Sequence, residues 1–156
     1  MRICFDMDGT IANLYGVENW LADLQTYNAR PYTEAKVMLD MNSLARTLKH
    51  LQRKGYKIGI ISWLAKNSTE AYDAKVTEAK KNWLKKHLAS VNFDFVEIVP
   101  YGTDKNIVNT CSADILFDDE EPNRKNWNGN AFDAKIQGED DGNNKRKSKE
   151  PKGNLF

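Results

Sequence analysis

The stretch Arg2-Ile3-Cys4-Phe5-Asp6-Met7-Asp8-Gly9-Thr10 opens with a short apolar run and ends in two acids one residue apart. Such a run reads as a buried strand that delivers its C-terminal end to a site. Two later stretches share the pattern. Lys57-Ile58-Gly59-Ile60-Ile61 ends at Ser62-Trp63, and the run from Ala113 to Phe117 ends at Asp118-Asp119. A further strand is expected from Phe93 to Val99, and a weak fifth from Ala131 to Ile136.

Helical patterns lie between these strands. Met38, Met41, Leu44, Leu48 and Leu51 recur at three and four residues, which predicts a helix from Thr33 that stops at Gly55. Asn67 or Ser68 is expected to cap the next helix, with Glu70 in its first turn. Tyr72, Val76, Ala79, Trp83 and Leu88 would form its buried face. Strands alternating with helices predict an α/β fold, a three-layer Rossmann-like parallel sheet with helices on both faces.

The 156 residues fit one domain, expected over 1–137. Within it, the partly helical segment from about 15 to 44, carrying Tyr15, Trp20, Tyr27, Arg30 and Tyr32, is long enough for a small helical cap inserted after the first strand. From Gly138 the chain is rich in Gly, Asn, Lys, Asp and Glu, so 138–156 reads as a disordered charged tail. Its basic run Lys145-Arg146-Lys147-Ser148-Lys149 is surrounded by acids.

Apolar residues at 40% and charged residues at 29% are globular proportions. A formal net charge of +1 offers no strong overall field for nucleic acid or membrane. No run approaches the ~20 apolar residues of a bilayer span, and no signal-peptide pattern follows Met1. The two cysteines, Cys4 and Cys111, lack metal-ligand spacing and read as reduced, buried thiols. A cytoplasmic protein is expected. His50 and His87, on lysine-rich helical surfaces, are expected to face solvent.

Three polar clusters thus fall just past strand ends, the edge where open parallel sheets bind ligands. Asp6, Asp8, Asp118 and Asp119 would crowd like charges there, which is costly unless a cation neutralises them. An all-oxygen donor set suits Mg²⁺ and argues against zinc.

The sequence Asp6-Met7-Asp8-Gly9-Thr10 resembles the first motif, DxDGT, of the haloacid dehalogenase superfamily. Ser62 resembles its second motif, Lys105 its third, and Asp118-Asp119 its fourth, in the family's order. Lys66 and Lys80 compete for the third role but are less well placed in order. The resemblance implies that Asp6 attacks phosphorus and becomes an aspartyl-phosphate. It implies that Asp8 protonates the leaving oxygen and then activates water. Thr10 would hold the loop and take part in substrate binding. Ser62 and Lys105 would bind the phosphoryl group, and Trp63 is a stacking candidate. Mg²⁺ would be held by Asp6, the Asp8 carbonyl and Asp119, with Asp118 a direct or neighbouring partner. Successive strand-end side chains point apart, which leaves that last pair open.

The stretches Pro100-Tyr101-Gly102-Thr103-Asp104-Lys105 and Ile115-Leu116-Phe117-Asp118-Asp119 are similar to compact 5'(3')-deoxynucleotidase-like members. A phosphatase acting on a small phosphoester, with a nucleotide favoured, is the implied activity. A polynucleotide end phosphatase and a hydrolase of a nucleotide-derived signal are enzymatic alternatives. A non-catalytic nucleotide-binding protein is the alternative from another class. Arg124 and Trp127, soon after the fourth motif, could orient its loop or pack.

Overall fold

The computed structural model describes residues 1–134. Strand β1 (Arg2–Phe5) is followed by a small antiparallel ribbon, β2 (Ala12–Asn13) with β3 (Lys36–Val37). Between those two strands lie a 3₁₀ turn at Leu14–Gly16 and the short helices α1 (Trp20–Gln25) and α2 (Arg30–Glu34). Then come α3 (Met41–Arg53), β4 (Lys57–Trp63), α4 (Glu70–His87) and β5 (Phe95–Val99). A 3₁₀ helix (Lys105–Val108), β6 (Ile115–Phe117), α5 (Glu121–Asn126) and β7 (Asn130–Phe132) complete the order.

Five strands form one sheet in the order β5-β4-β1-β6-β7, and every pairing is parallel. This is the α/β, Rossmann-like architecture the alternating pattern predicts. Because side chains alternate across a strand, each strand serves two cores. Ile3, Phe5, Ile58 and Ile60 meet Ala45 and Leu48 of α3 and Trp83 and Leu84 of α4 on one face. Cys4, Ile61 and Leu116 meet Val108 and Trp127 on the other. Phe5 and Phe117 stack at 4.9 Å on the first face, locking β1 against β6.

Several boundaries differ from expectation, each for a local reason. The helix predicted from Thr33 begins at Met41, because the Asp40 carboxylate accepts from the N–H groups of Asn42 and Ser43 and caps it there. Residues 33–37 instead finish α2 and form β3. That helix does end before Gly55, whose φ of 91° needs a residue without Cβ. Thr69, rather than Asn67 or Ser68, caps α4 by accepting from the Tyr72 N–H.

The strand expected from Phe93 starts at Phe95, since the Asp94 carboxylate accepts from Ile58 N–H and ends the ladder. The weak strand is β7, at Asn130–Phe132; residues 135 and 136 of its expected range, and the 138–156 tail, lie outside the described residues. Cys111 is exposed, not buried as its apolar neighbours suggested, whereas Cys4 is buried in the sheet. His87 is half-covered, its ring 4.5 Å from that of Trp83, while His50 faces solvent.

Helix α4 packs against both the inserted segment and the sheet. Its first half presents Tyr72, Val76 and Ala79 to Leu14 and Tyr32 of the inserted segment. Its second half presents Trp83 and Leu84 to the sheet. Among the described residues no helix is long and apolar enough to cross a membrane.

Candidate active site

Because β4, β1 and β6 are adjacent, their C-terminal ends bring Asp6, Ser62-Trp63 and Asp118-Asp119 to one edge. The Asp6 N–H donates to Phe117 O at 2.9 Å, so the ladder holds the Asp6 backbone up to its last residue. The chain then turns hard: the N–H groups of Thr10, Ile11 and Ala12 all donate to Met7 O. Gly9 sits within this turn at φ 76°, and a Cβ there would fall 2.3 Å from Asp119 Oδ2. Only glycine lets the Asp119 carboxylate lie against the loop that carries Asp6 and Asp8.

Two buried lysines meet these acids. Lys105 Nζ lies 3.1 Å from Asp6 Oδ1 and 2.6 Å from Asp118 Oδ2. Burial alone would lower its pKa, but the charges of Asp6 and Asp118 outweigh that and hold it above the ordinary lysine value. Asp118 is fully buried, its Oδ1 accepting from Glu120 N–H and its Oδ2 from Lys105 and Asn123. Burial, then the nearby Asp6 charge, raises the Asp118 pKa despite Lys105.

The second lysine is Lys80, on α4. Its ammonium donates to Asp8 Oδ2 at 2.7 Å, to Ser62 Oγ at 2.8 Å and to Trp63 O at 2.7 Å. Burial pushes the Asp8 carboxyl above its usual range, with Lys80 pulling the other way and Asp6 adding to the rise.

Oxygens of Asp6, Asp118 and Asp119 lie within 4.8 Å of one another, close enough to share one ion. Among the described residues the buried cations are Lys80 and Lys105. Four aspartate carboxyl groups meet two ammonium groups there, an excess of acid that fits a hard divalent cation.

The other residues singled out in the sequence divide. Ser62 is fully buried, its hydroxyl turned to Lys80. Thr10 is buried and accepts from the Asp119 N–H, so it joins two loops. Trp63 is half-buried, its ring 4.9 Å from that of Tyr101 and its N–H donating to Thr103 O. Arg30 does not reach the site as a free cation: Asp23, Glu34 and Glu18 O engage its guanidinium. Tyr15 does reach it: a Cβ on Gly9 would lie 2.9 Å from its ring, so the half-exposed tyrosine rests against the loop that carries Asp6 and Asp8. Arg124 donates to Asp118 O and so steadies the loop after β6. Trp127 packs in the second core and donates to Asp114 O.

Sequence reasoning passed over Lys80 as a member of the site. The signal was present: it lies four residues after Val76 and three before Trp83, inside the apolar face of α4. A lysine there is almost never left unpaired.

No family model matches the chain, and no curated protein sequence matches it. Five chains of solved structures do match, among them D,D-heptose 1,7-bisphosphate phosphatase from Burkholderia thailandensis. It is 13% identical, the match covers 80% of this chain and 69% of that one, and the TM-score is 0.49.

Proposed function

We propose that this chain is a magnesium-dependent phosphohydrolase of the haloacid dehalogenase type that works through Asp6. The observation that carries the reading is Asp6 itself. A carboxylate ends the central strand, 3.1 Å from a buried ammonium and within reach of two further acid side chains that could share a cation with it.

An Asp6 oxygen attacks phosphorus, and the ester P–O bond breaks with its electron pair on the leaving oxygen. Asp8 gives that oxygen a proton; its raised pKa favours the protonated form this needs. Water then attacks the aspartyl-phosphate, loses its proton to Asp8 and releases inorganic phosphate, restoring Asp6. Lys105 stays charged beside Asp6 and opposes the negative charge of the phosphoryl group.

Asp6, the Asp8 carbonyl and Asp119 would hold Mg²⁺, which neutralises charge on the phosphoryl oxygens when bound. Asp118 accepts from Lys105, Asn123 and the Glu120 N–H and so holds Lys105 in place, which supports Asp119 over Asp118 as the residue that would ligate the ion.

The substrate class we favour is a nucleotide, with Trp63 and the exposed Tyr101 as stacking surface next to β4's end. Free thiols at Cys4 and Cys111 accord with a cytoplasmic setting.

The test is phosphate release from a panel of phosphoesters, with and without Mg²⁺, for the wild type and Asp6→Asn. Release that needs both metal and Asp6 supports the reading, and a preference for nucleotides supports the substrate class. Release that survives Asp6→Asn would exclude the covalent step. Tight nucleotide binding with no turnover of any compound would point instead to a binding protein.

A further inference from the structure

Lys80 is placed for more than filling a helix face. Its Nζ is enclosed by Asp8 Oδ2, Ser62 Oγ and Trp63 O, all within 2.8 Å, and it lies 5.1 Å from the centre of the Tyr32 ring. An ammonium has three protons to donate and accepts nothing, so these three acceptors use its full capacity. Two of them are fixed by the sheet, since Ser62 and Trp63 belong to β4 and pair with Ile98 and Val99 of β5. The third, Asp8, sits on the tight loop after β1, where its side chain is 16% exposed.

The position of Lys80 along its helix makes this arrangement possible. The side chains on either side of it, Ala79 and Trp83, pack against the inserted segment and the sheet core respectively. It therefore stands between the stretch of α4 that packs on the inserted segment and the stretch that packs on the sheet. Lys105 has no part in holding Asp8 this way, being engaged with Asp6 and Asp118.

We infer that Lys80 is a positioning residue for Asp8: it anchors Oδ2 to the rigid end of β4 and leaves Oδ1 as the oxygen that exchanges a proton with the substrate. Ser62 and Trp63 O act here as the fixed posts of that anchor. The inference rests on the hydrolytic reading in which Asp8 is the acid and base, and adds to it a second lysine with a separate task. Without the anchor, Asp8 would rotate about its side-chain torsions and spend less time in line with the leaving oxygen.

The discriminating experiment compares two substrates that differ in their need for an acid. p-Nitrophenyl phosphate has a leaving group that departs without protonation, whereas glycerol phosphate has an alkyl oxygen that needs a proton. Lys80→Met, Asp8→Asn and the double variant are assayed on both with Mg²⁺, alongside Asp6→Asn. Lys80→Gln, which keeps a donor, replaces Lys80→Met if the latter does not fold.

Loss of kcat/KM by about 10²-fold or more on glycerol phosphate, with less than about tenfold on p-nitrophenyl phosphate, is the expected pattern. The reason is that kcat/KM ends at departure of the leaving group and omits the later water step that also uses Asp8. The double variant should be no slower than Asp8→Asn alone. Equal losses on the two substrates, or losses that multiply in the double variant, would overturn the positioning role.

Failure of the underlying reading has a different signature: release that is absent in the wild type or unchanged in Asp6→Asn. In that event a crystal structure of the Lys80 variant decides. Displacement of the Asp8 carboxylate upholds the anchor, and a carboxylate still in place overturns it.

Discussion

The Asp119 N–H donates to the Thr10 hydroxyl at 3.1 Å, joining the loop after β1 to the loop after β6 across 109 residues of sequence. The same two loops meet again where Asp119 Oδ2 fills the space a Cβ on Gly9 would need. These contacts make the two acidic segments one unit, and they locate the substitutions that should separate chemistry from folding.

Gly9→Ala should be severe for activity and milder for stability. The new methyl would have to displace the Asp119 carboxylate, and the positive φ adds strain. Phosphate release is expected to fall by about 10²-fold or more, with thermal unfolding still cooperative. Near-normal release would show that the close approach of Asp119 to the loop is dispensable.

Asp118→Asn and Asp119→Asn should behave differently although the residues are adjacent. Asp118 accepts from Lys105, Asn123 and the Glu120 N–H in a buried site, so its substitution should cost about 1–3 kcal/mol in denaturant unfolding. Asp119→Asn should leave stability near that of the wild type and raise the Mg²⁺ concentration for half-maximal release by at least about tenfold. A reversed pattern would exchange the two roles.

Trp63→Ala tests the stacking surface. Loss of a base–aromatic contact of about 1–3 kcal/mol should raise KM for a nucleotide by roughly 5- to 160-fold. KM for glycerol phosphate should hardly change. Parallel rises for both would mean that Trp63 acts through packing against Tyr101.

Away from the site, Asp114 should dominate one part of the acid profile. Burial would raise its pKa, but donation from Arg2 N–H and from the Thr110 hydroxyl and N–H outweighs that and brings it down to about 2. A folded pKa below the unfolded one contributes stability above pH ~4, and that stability is lost as pH falls towards 2. Asp114→Asn should therefore be destabilised by about 2 kcal/mol at neutral pH, with the gap to wild type closing below pH 4. A gap that does not change with pH would mean that only packing or hydrogen bonding is lost.

The sheet and most of the acid cluster were legible because each rests on a local pattern. Apolar runs ending in Asp6, Ser62 and Asp118-Asp119 state both the strand and the edge. Lys105 was found through motif order, and the structure puts it against Asp6. Lys80 was harder to place because its meaning depends on the packing of α4 against the ends of β1 and β4, a tertiary fact no spacing records. The inserted segment was blurred for a related reason. Its helices α1 and α2 have six and five residues, too few to show a period, and Asp40 fixes the start of α3 through a cap. Arg30, the arginine of that segment, is engaged by Asp23 and Glu34, pairings that its place in the sequence does not announce.

Helix α4 touches the inserted segment with one half and the sheet with the other, and between the halves it carries the lysine that grips Asp8. The seating of the inserted segment and the hold on Asp8 thus hang on a single rod. A bulkier or smaller residue at Val76 or Ala79 would shift that rod against Leu14 and Tyr32 and move the Lys80 ammonium at the same time. Repacking of the inserted segment should therefore be tolerated only with compensating changes on the sheet side of α4, around Trp83 and Leu84.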